Sequence, residues 1–409
     1  MKKLQFFFFT FFIFNFNLVY SQANLDETTR LIQEEVCENY TPPPHFTGDT
    51  PPTLCDRFGW QEFLTEIGEG TSFPTSSSLG KSISGNVHIV GNFTIDESFE
   101  FLKANVKIAG DKGIFVQGDN ILTVNSSNLF ACDKMWLGIK MESSSSIVTK
   151  NKSTIEDAAK TIDASNEAYV TLDLSNTTFN RNLNNIYIDN SLKAHLPPHI
   201  VSHTPYFKSF TNLVFSCTSP LIGTVDEITY SGVFLDYCPM LLPAMKFNSR
   251  NTFTDIKIGI YAKAQSLITA SNLDFTKIRI SAIHAVTGLM ELDNCKFIDN
   301  KSAIDIKYLD LCDLENCIFR MTSAFVGKNG SGIDIDELNT DANLLINTCN
   351  FNVDFGKTGI VEHKYQDIYI KGSIVGVNNV INISKSDFIA SASPRTICSE
   401  VTIKGDFPE

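Results

Sequence analysis

Basic side chains are scarce in this 409-residue chain: 33 Lys and Arg stand against 46 Asp and Glu, a formal net charge of −13. Nucleic acids and anionic lipid surfaces are held through clustered Lys and Arg, so the balance argues against both as partners. Acidic polysaccharides are disfavoured too unless a divalent cation bridges them. After the first residues there is no apolar run of the roughly 20 residues that a membrane-crossing helix needs. Over residues 83–409 no stretch keeps a 3.6-residue apolar spacing, and no leucine-rich consensus is present, which excludes the helical and leucine-rich repeat classes. Walker loops, HExxH, dinucleotide fingerprints and CxxC pairs are all missing.

The first segment, "MKKLQFFFFTFFIFNFNLVYSQA", has two lysines, a Phe-rich apolar run and then small and polar residues around Ser21. This is the layout of a cleaved secretory signal peptide over residues 1–21, implying export to the cell surface or beyond. A membrane anchor is the competing reading, opposed by Asn15 and Asn17 inside the run. Losing Lys2 and Lys3 leaves 31 basic against 46 acidic residues, a formal charge of −15. Residues 22–82 carry "DETTRLIQEEVCENY" and "GWQEFLTEIGEG", two candidate short helices suited to an N-terminal cap, joined through a Pro-rich stretch.

Ten cysteines in an exported chain point to disulfides. Cys37 and Cys55 flank "TPPPHFTGDTPPT", where a loop-closing bridge fits. Cys217 and Cys238 fall in a stretch at about 190–247 that breaks the pattern described next; it is either an insertion projecting as loops, which a bridge between them would staple, or one or two longer turns with ordinary connections. A second insertion is expected at 321–331.

The informative pattern is a period. Phe253, Phe275, Phe297 and Phe319 each lie 22 residues after the one before. Seven and five residues earlier come apolar pairs: Ile268 and Ala270, Met290 and Leu292, Cys312 and Leu314. The pairs recur before Phe179, Phe351 and Phe388. An apolar pair spaced by two is a strand with one inward face. Three residues before the Phe stands Asn176, Asn272, Asn294 or Asn316, with Thr348 the exception. Asn tolerates left-handed backbone, so it suits a corner between strands. Between corner and Phe, Cys295, Cys317 and Cys349 take an inward position, where a small buried role is expected. A second strand recurs as a small residue, Ile and a variable residue: "NIYI" at 185, "GIYA" at 259, "AIHA" at 282, "AIDI" at 303, "GIDI" at 332 and "GIVE" at 359, with "GIKM" at 138 and "TIDA" at 161 upstream.

Short strands and stacked like residues, at about 22–25 residues per turn, predict an all-β, single-stranded parallel β-helix over residues 83–409. With these turns, "MWLGIKMESSSSIVTKNKSTIEDAAKTIDAS" (135–165) and "NTTFNRNLNNIYI" (176–188), the chain resembles secreted right-handed parallel β-helix proteins of the pectin-lyase-like class from Bacteroidota-type bacteria. The resemblance implies right-handed winding and an exported protein. It does not imply one activity, because that scaffold carries lyases, hydrolases, adhesins and passive stalks alike. The paired-Asp and Gly-His-Gly motifs of polygalacturonase-like enzymes are missing, as is a recognisable set of calcium-binding acids beside a basic residue.

The variable residue of the second strand is expected to point outward. Tyr187, Tyr261, His284, Asp305 and Asp334 would then form one column about 5 Å apart per turn. Aromatic rings beside acids suit sugar stacking and hydroxyl recognition, and two carboxylates suit calcium. A plain solvated sheet face is the alternative for those five positions. No catalytic residue is assigned and no other cofactor is implied. The expectation is an exported non-catalytic scaffold for adhesion or carbohydrate binding, with a polysaccharide or cell-surface glycan as partner. The alternative is a polysaccharide lyase or glycoside hydrolase using the outward column.

Overall fold

The computed structural model describes residues 53–54, 65–67, 81–167, 169–193, 205–243, 249–264, 266–321, 329–354, 364–371, 380–391 and 397–404. The chain divides into two compact units, Met1–His45 and Phe46–Glu409, and all of these residues belong to the second. The expected signal peptide, most of the expected cap, Cys37, Cys55, "GIVE" at 359 and residues 322–328 of the second insertion lie outside the described residues. Among the described residues no helix is long and apolar enough to cross a membrane.

The fold is a parallel β-helix, whose strands form parallel sheets of 17 and 15 strands. One turn shows how the sequence builds it. Leu267–Ser271 forms a first face, Asn272 turns the corner, Leu273–Thr276 forms a second face, and Lys277 turns again. The strand Ser281–Asp293 then crosses a third face and enters the first face of the next turn. Asn272, Asn294 and Asn316 sit at φ 57°, 51° and 54°, with Asn176 at 47° and Asn212 at 54°. Left-handed backbone costs an ordinary L-residue about 1–2 kcal/mol, which is why Asn recurs there. Thr348 takes φ 56° at the equivalent corner despite its branched Cβ. Stacked corners also bond along the axis: Asn294 Nδ2 donates to Asn272 Oδ1 at 2.6 Å, and Asn212 Nδ2 to Asn176 Oδ1 at 3.1 Å.

Inside each corner the Phe rings stack. Phe179, Phe215, Phe253, Phe275, Phe297, Phe319 and Phe351 form one column, with successive centroids 5.1, 4.5, 4.7, 5.2, 4.8 and 4.4 Å apart and rings within 19° of parallel. Upstream the same register position is held by Ile155, Leu129, Val106 and Val87. The small residue opening the third-face strand is explained by these rings. A Cβ on Gly259 would meet the Phe275 ring at 2.6 Å and the Ala282 carbonyl oxygen at 2.4 Å. Cys295, Cys317 and Cys349 are buried in the next inward column, and Cys317 Sγ donates to the Glu315 carbonyl at 3.3 Å.

The stretch at 190–247 is not a projecting insertion alone. It contains a complete turn, Tyr206–Thr211, Val214–Ser216 and Ser231–Asp236, that puts Phe215 between Phe179 and Phe253. The added length lies in the connections, so the sequence period breaks while the register holds. Cys217 and Cys238 do not bridge each other: both are buried thiols. Cys217 Sγ accepts the Thr229 N–H at 3.3 Å and sits in the main core, so its burial comes from packing. Thr65–Ile67, within a segment expected to be helical, is instead a strand paired in parallel with Val87–Ile89. Pairing against an existing edge overrides the local helical preference, and the parallel stack begins before residue 83.

Two stability outcomes follow from the corner and the ring column. Phe297→Ala lowers unfolding free energy by about 3–5 kcal/mol, read by denaturant titration. Thr348→Asn raises it by about 1 kcal/mol, because an exposed branched residue leaves a left-handed corner. An unchanged midpoint in both variants would contradict the assignment.

Candidate functional site

The third face carries the column anticipated from sequence, in unbroken register. Tyr187 pairs with Phe234, Phe234 with Tyr261, Tyr261 with His284, His284 with Asp305, and Asp305 with Asp334. Asp163 precedes Tyr187, and Lys140 precedes Asp163. Tyr369 follows Asp334, so the next member is "DIYI" at 367 rather than "GIVE" at 359. Phe234 went unrecognised because it belongs to the long turn.

Strand alternation turns these side chains away from the main core, but it does not leave them all solvated. Phe234 and Tyr261 are only 7% and 6% exposed and form a second apolar cluster with Ile258. Tyr187, Tyr230, Ile280 and Val286 pack against that cluster. Tyr187 stacks on Phe234 at 4.5 Å, Phe234 meets Tyr261 edge to face at 5.3 Å, and Tyr261 meets the His284 ring at 5.1 Å. The Lys160 ammonium covers the Tyr187 ring at 3.8 Å. An open aromatic platform for sugar stacking is therefore not what the strip offers at Phe234 and Tyr261. Burial pushes the Tyr187 and Tyr261 hydroxyls well above the ordinary tyrosine range.

The polar members engage one another. Asp163 lies between Lys140 at 3.8 Å and Lys160 at 3.5 Å. His284 Nδ1 is 2.8 Å from Asp305 Oδ2, with the two side chains 16% and 33% exposed. A carboxylate only accepts, so the chemistry of the pair assigns the shared proton to Nδ1 and leaves Nε2 as the ring's other polar atom. Asp305 and Asp334 are register partners on adjoining turns, and among the described residues no group of three or more His, Cys, Asp or Glu side chains gathers to hold a metal ion.

The structure adds a pair that sequence reasoning missed. Asp189 and Asp236 are register partners, each two residues past an outward aromatic. Asp189 accepts the Ser191 N–H at 3.0 Å and the Ser191 hydroxyl at 2.6 Å through Oδ1, and the Tyr187 hydroxyl at 3.4 Å through Oδ2. Asp236 is almost fully buried, 3.3 Å from Lys263. Burial drives its carboxyl up to about 6, the Asp189 charge adds to the rise, and Lys263 opposes it. The signal was the shared aromatic-apolar-Asp pattern of "YID" at 187 and "FLD" at 234.

No family model matches the chain, and no curated protein matches it. Function is therefore argued from this geometry.

A carboxyl whose folded pKa is raised binds its proton more tightly when folded. Asp236 thus contributes stability that is fully present below the unfolded value near 3.8 and is lost as pH rises through about 6. Asp236→Asn is expected to flatten the fall in unfolding free energy between about pH 4 and 6, read from denaturant midpoints across that window. An identical slope in the variant would show that this carboxyl titrates normally.

Proposed function

We propose that the protein is an exported, non-catalytic β-helix scaffold acting in adhesion at a cell surface or in the extracellular space. On this reading its carbohydrate contact lies at the His284, Asp305 and Asp334 end of the outward column. The observation that carries the proposal is the mutual engagement of the polar groups. Lys140, Lys160, Asp163, Asp189, Asp236, Lys263, His284 and Asp305 each have a partner within the strip. Hydrolysis or elimination needs an acid or base positioned to exchange a proton with substrate. A strip of paired groups suits recognition better, and His284 and Asp305 are part-exposed polar members of it, as are Lys140 and Lys160 at its other end. Export is supported by the N-terminal segment and by a disulfide at Cys132, since such bonds persist in oxidising compartments. The negative charge favours neutral over acidic glycans and disfavours nucleic acid.

A second reading has one observation of its own. Glycoside hydrolysis uses two carboxyl groups whose environments separate their pKa values. Asp236, pushed up to about 6, beside Asp189 on the adjoining strand, has that character. Asp236 would be the acid and Asp189 the base, although a carboxyl that is 4% exposed has little access to a glycosidic oxygen.

The two readings separate on glycan arrays run together with assays for reducing ends and unsaturated sugars on neutral and acidic polysaccharides. The scaffold reading expects binding without turnover, weakened at least tenfold by the double variant Asp305→Asn, Asp334→Asn. Robust turnover abolished by Asp236→Asn would replace it with the hydrolase reading.

A further inference from the structure

We infer that Cys132 is bridged to Cys55. Cys132 is disulfide-bonded. Its partner is none of Cys217, Cys238, Cys295, Cys312, Cys317 or Cys349, which are all thiols. Three cysteines remain: Cys37, Cys55 and Cys398. Cys398 lies in the strand Ile397–Lys404, nine strand steps along the third face from Trp136–Met141, which begins just after Cys132. At about 4.8 Å per step that is roughly 43 Å, whereas a disulfide needs Cα atoms within about 7 Å. Of Cys37 and Cys55, the second has a described neighbour, Leu54.

Cys55 is favoured by the seat of its neighbour. Leu54 is fully buried, and its N–H donates to Glu156 Oε2 at 3.0 Å. The other oxygen of Glu156 accepts Asn180 Nδ2 at 2.8 Å, and the Glu156 carbonyl accepts the Trp136 indole N–H at 2.8 Å. The next residue, Asp157, is bonded by the backbone of Ala131, which immediately precedes Cys132. Both cysteines are thus one residue from a group bound to the same Glu156–Asp157 corner. Forming the bridge removes two protons and two electrons from two thiols. A disulfide-bearing oxidant outside the cytoplasm takes them up and becomes a dithiol. On this assignment Cys55 is not available for the expected Cys37–Cys55 bridge.

Non-reducing digestion before aspartates resolves the candidates, because Cys37, Cys55 and Cys132 then fall in separate peptides. The expected product links peptide 49–55 to peptide 119–132. In a second arm, Cys55→Ser makes Cys132 reactive to a thiol alkylator, while Cys37→Ser leaves it blocked. Linkage of 119–132 to the Cys37 peptide, to a second copy of itself, or to nothing would overturn the assignment. So would unblocking of Cys132 by Cys37→Ser.

Discussion

Everything in this molecule depends on like residues meeting their counterparts one turn away. A β-helix has no centre on which distant segments collapse; each turn buries its apolar side only against the turns above and below. Two features keep those turns in step. Left-handed corners at Asn176, Asn212, Asn272, Asn294 and Asn316 fix where the chain bends, and the Phe column fixes what lies behind each bend. Near-parallel rings about 5 Å apart match the spacing of strands, so ring stacking and strand pairing reinforce one another.

That same repetition explains what could be read from the sequence. Inward positions accept few residue types, and Phe, Asn and Cys at fixed offsets made the turns visible from 251 to 321. Phe215 was hidden because turns of 36 and 38 residues separate it from Phe179 and Phe253, although its register is unbroken. Ile155 and Leu129 were hidden for the opposite reason: the spacing persists while the residue type changes. The outward column followed from strand parity alone and was correct in order. Its burial was not legible, because whether Tyr261 is covered depends on Phe234 and Tyr230 in other turns. The acid pair Asp189 and Asp236 needed Phe234 to be placed first.

Register also turns a structural repeat into a chemical surface. Because the third-face strands pair in parallel, one variable residue per turn becomes a line of side chains running from Lys140 to Tyr369. In the middle of that line the aromatic residues pack on one another, and the charges pair along its length. That mutual pairing is the feature on which the proposed scaffold role rests. Part-exposed polar groups lie at both ends, Lys140 and Lys160 at one and His284 and Asp305 at the other. The Glu156–Asp157 corner shows the opposite use of a turn. There a buried ion pair with Arg181 at 2.5 Å and the Leu54 N–H contact hold polar groups inside the body.

Continuity of the stack through the long turn is the claim on which both the core and the outward column rest. Hydrogen exchange read by mass spectrometry tests it most directly, by comparing peptides across 206–236 with those across 267–293. The account predicts comparable protection in the strands of both stretches, because both make parallel backbone bonds to turns on either side. Exchange of the 206–236 strands within seconds, with the flanking turns protected, would mean that Phe215 and Phe234 do not complete the columns.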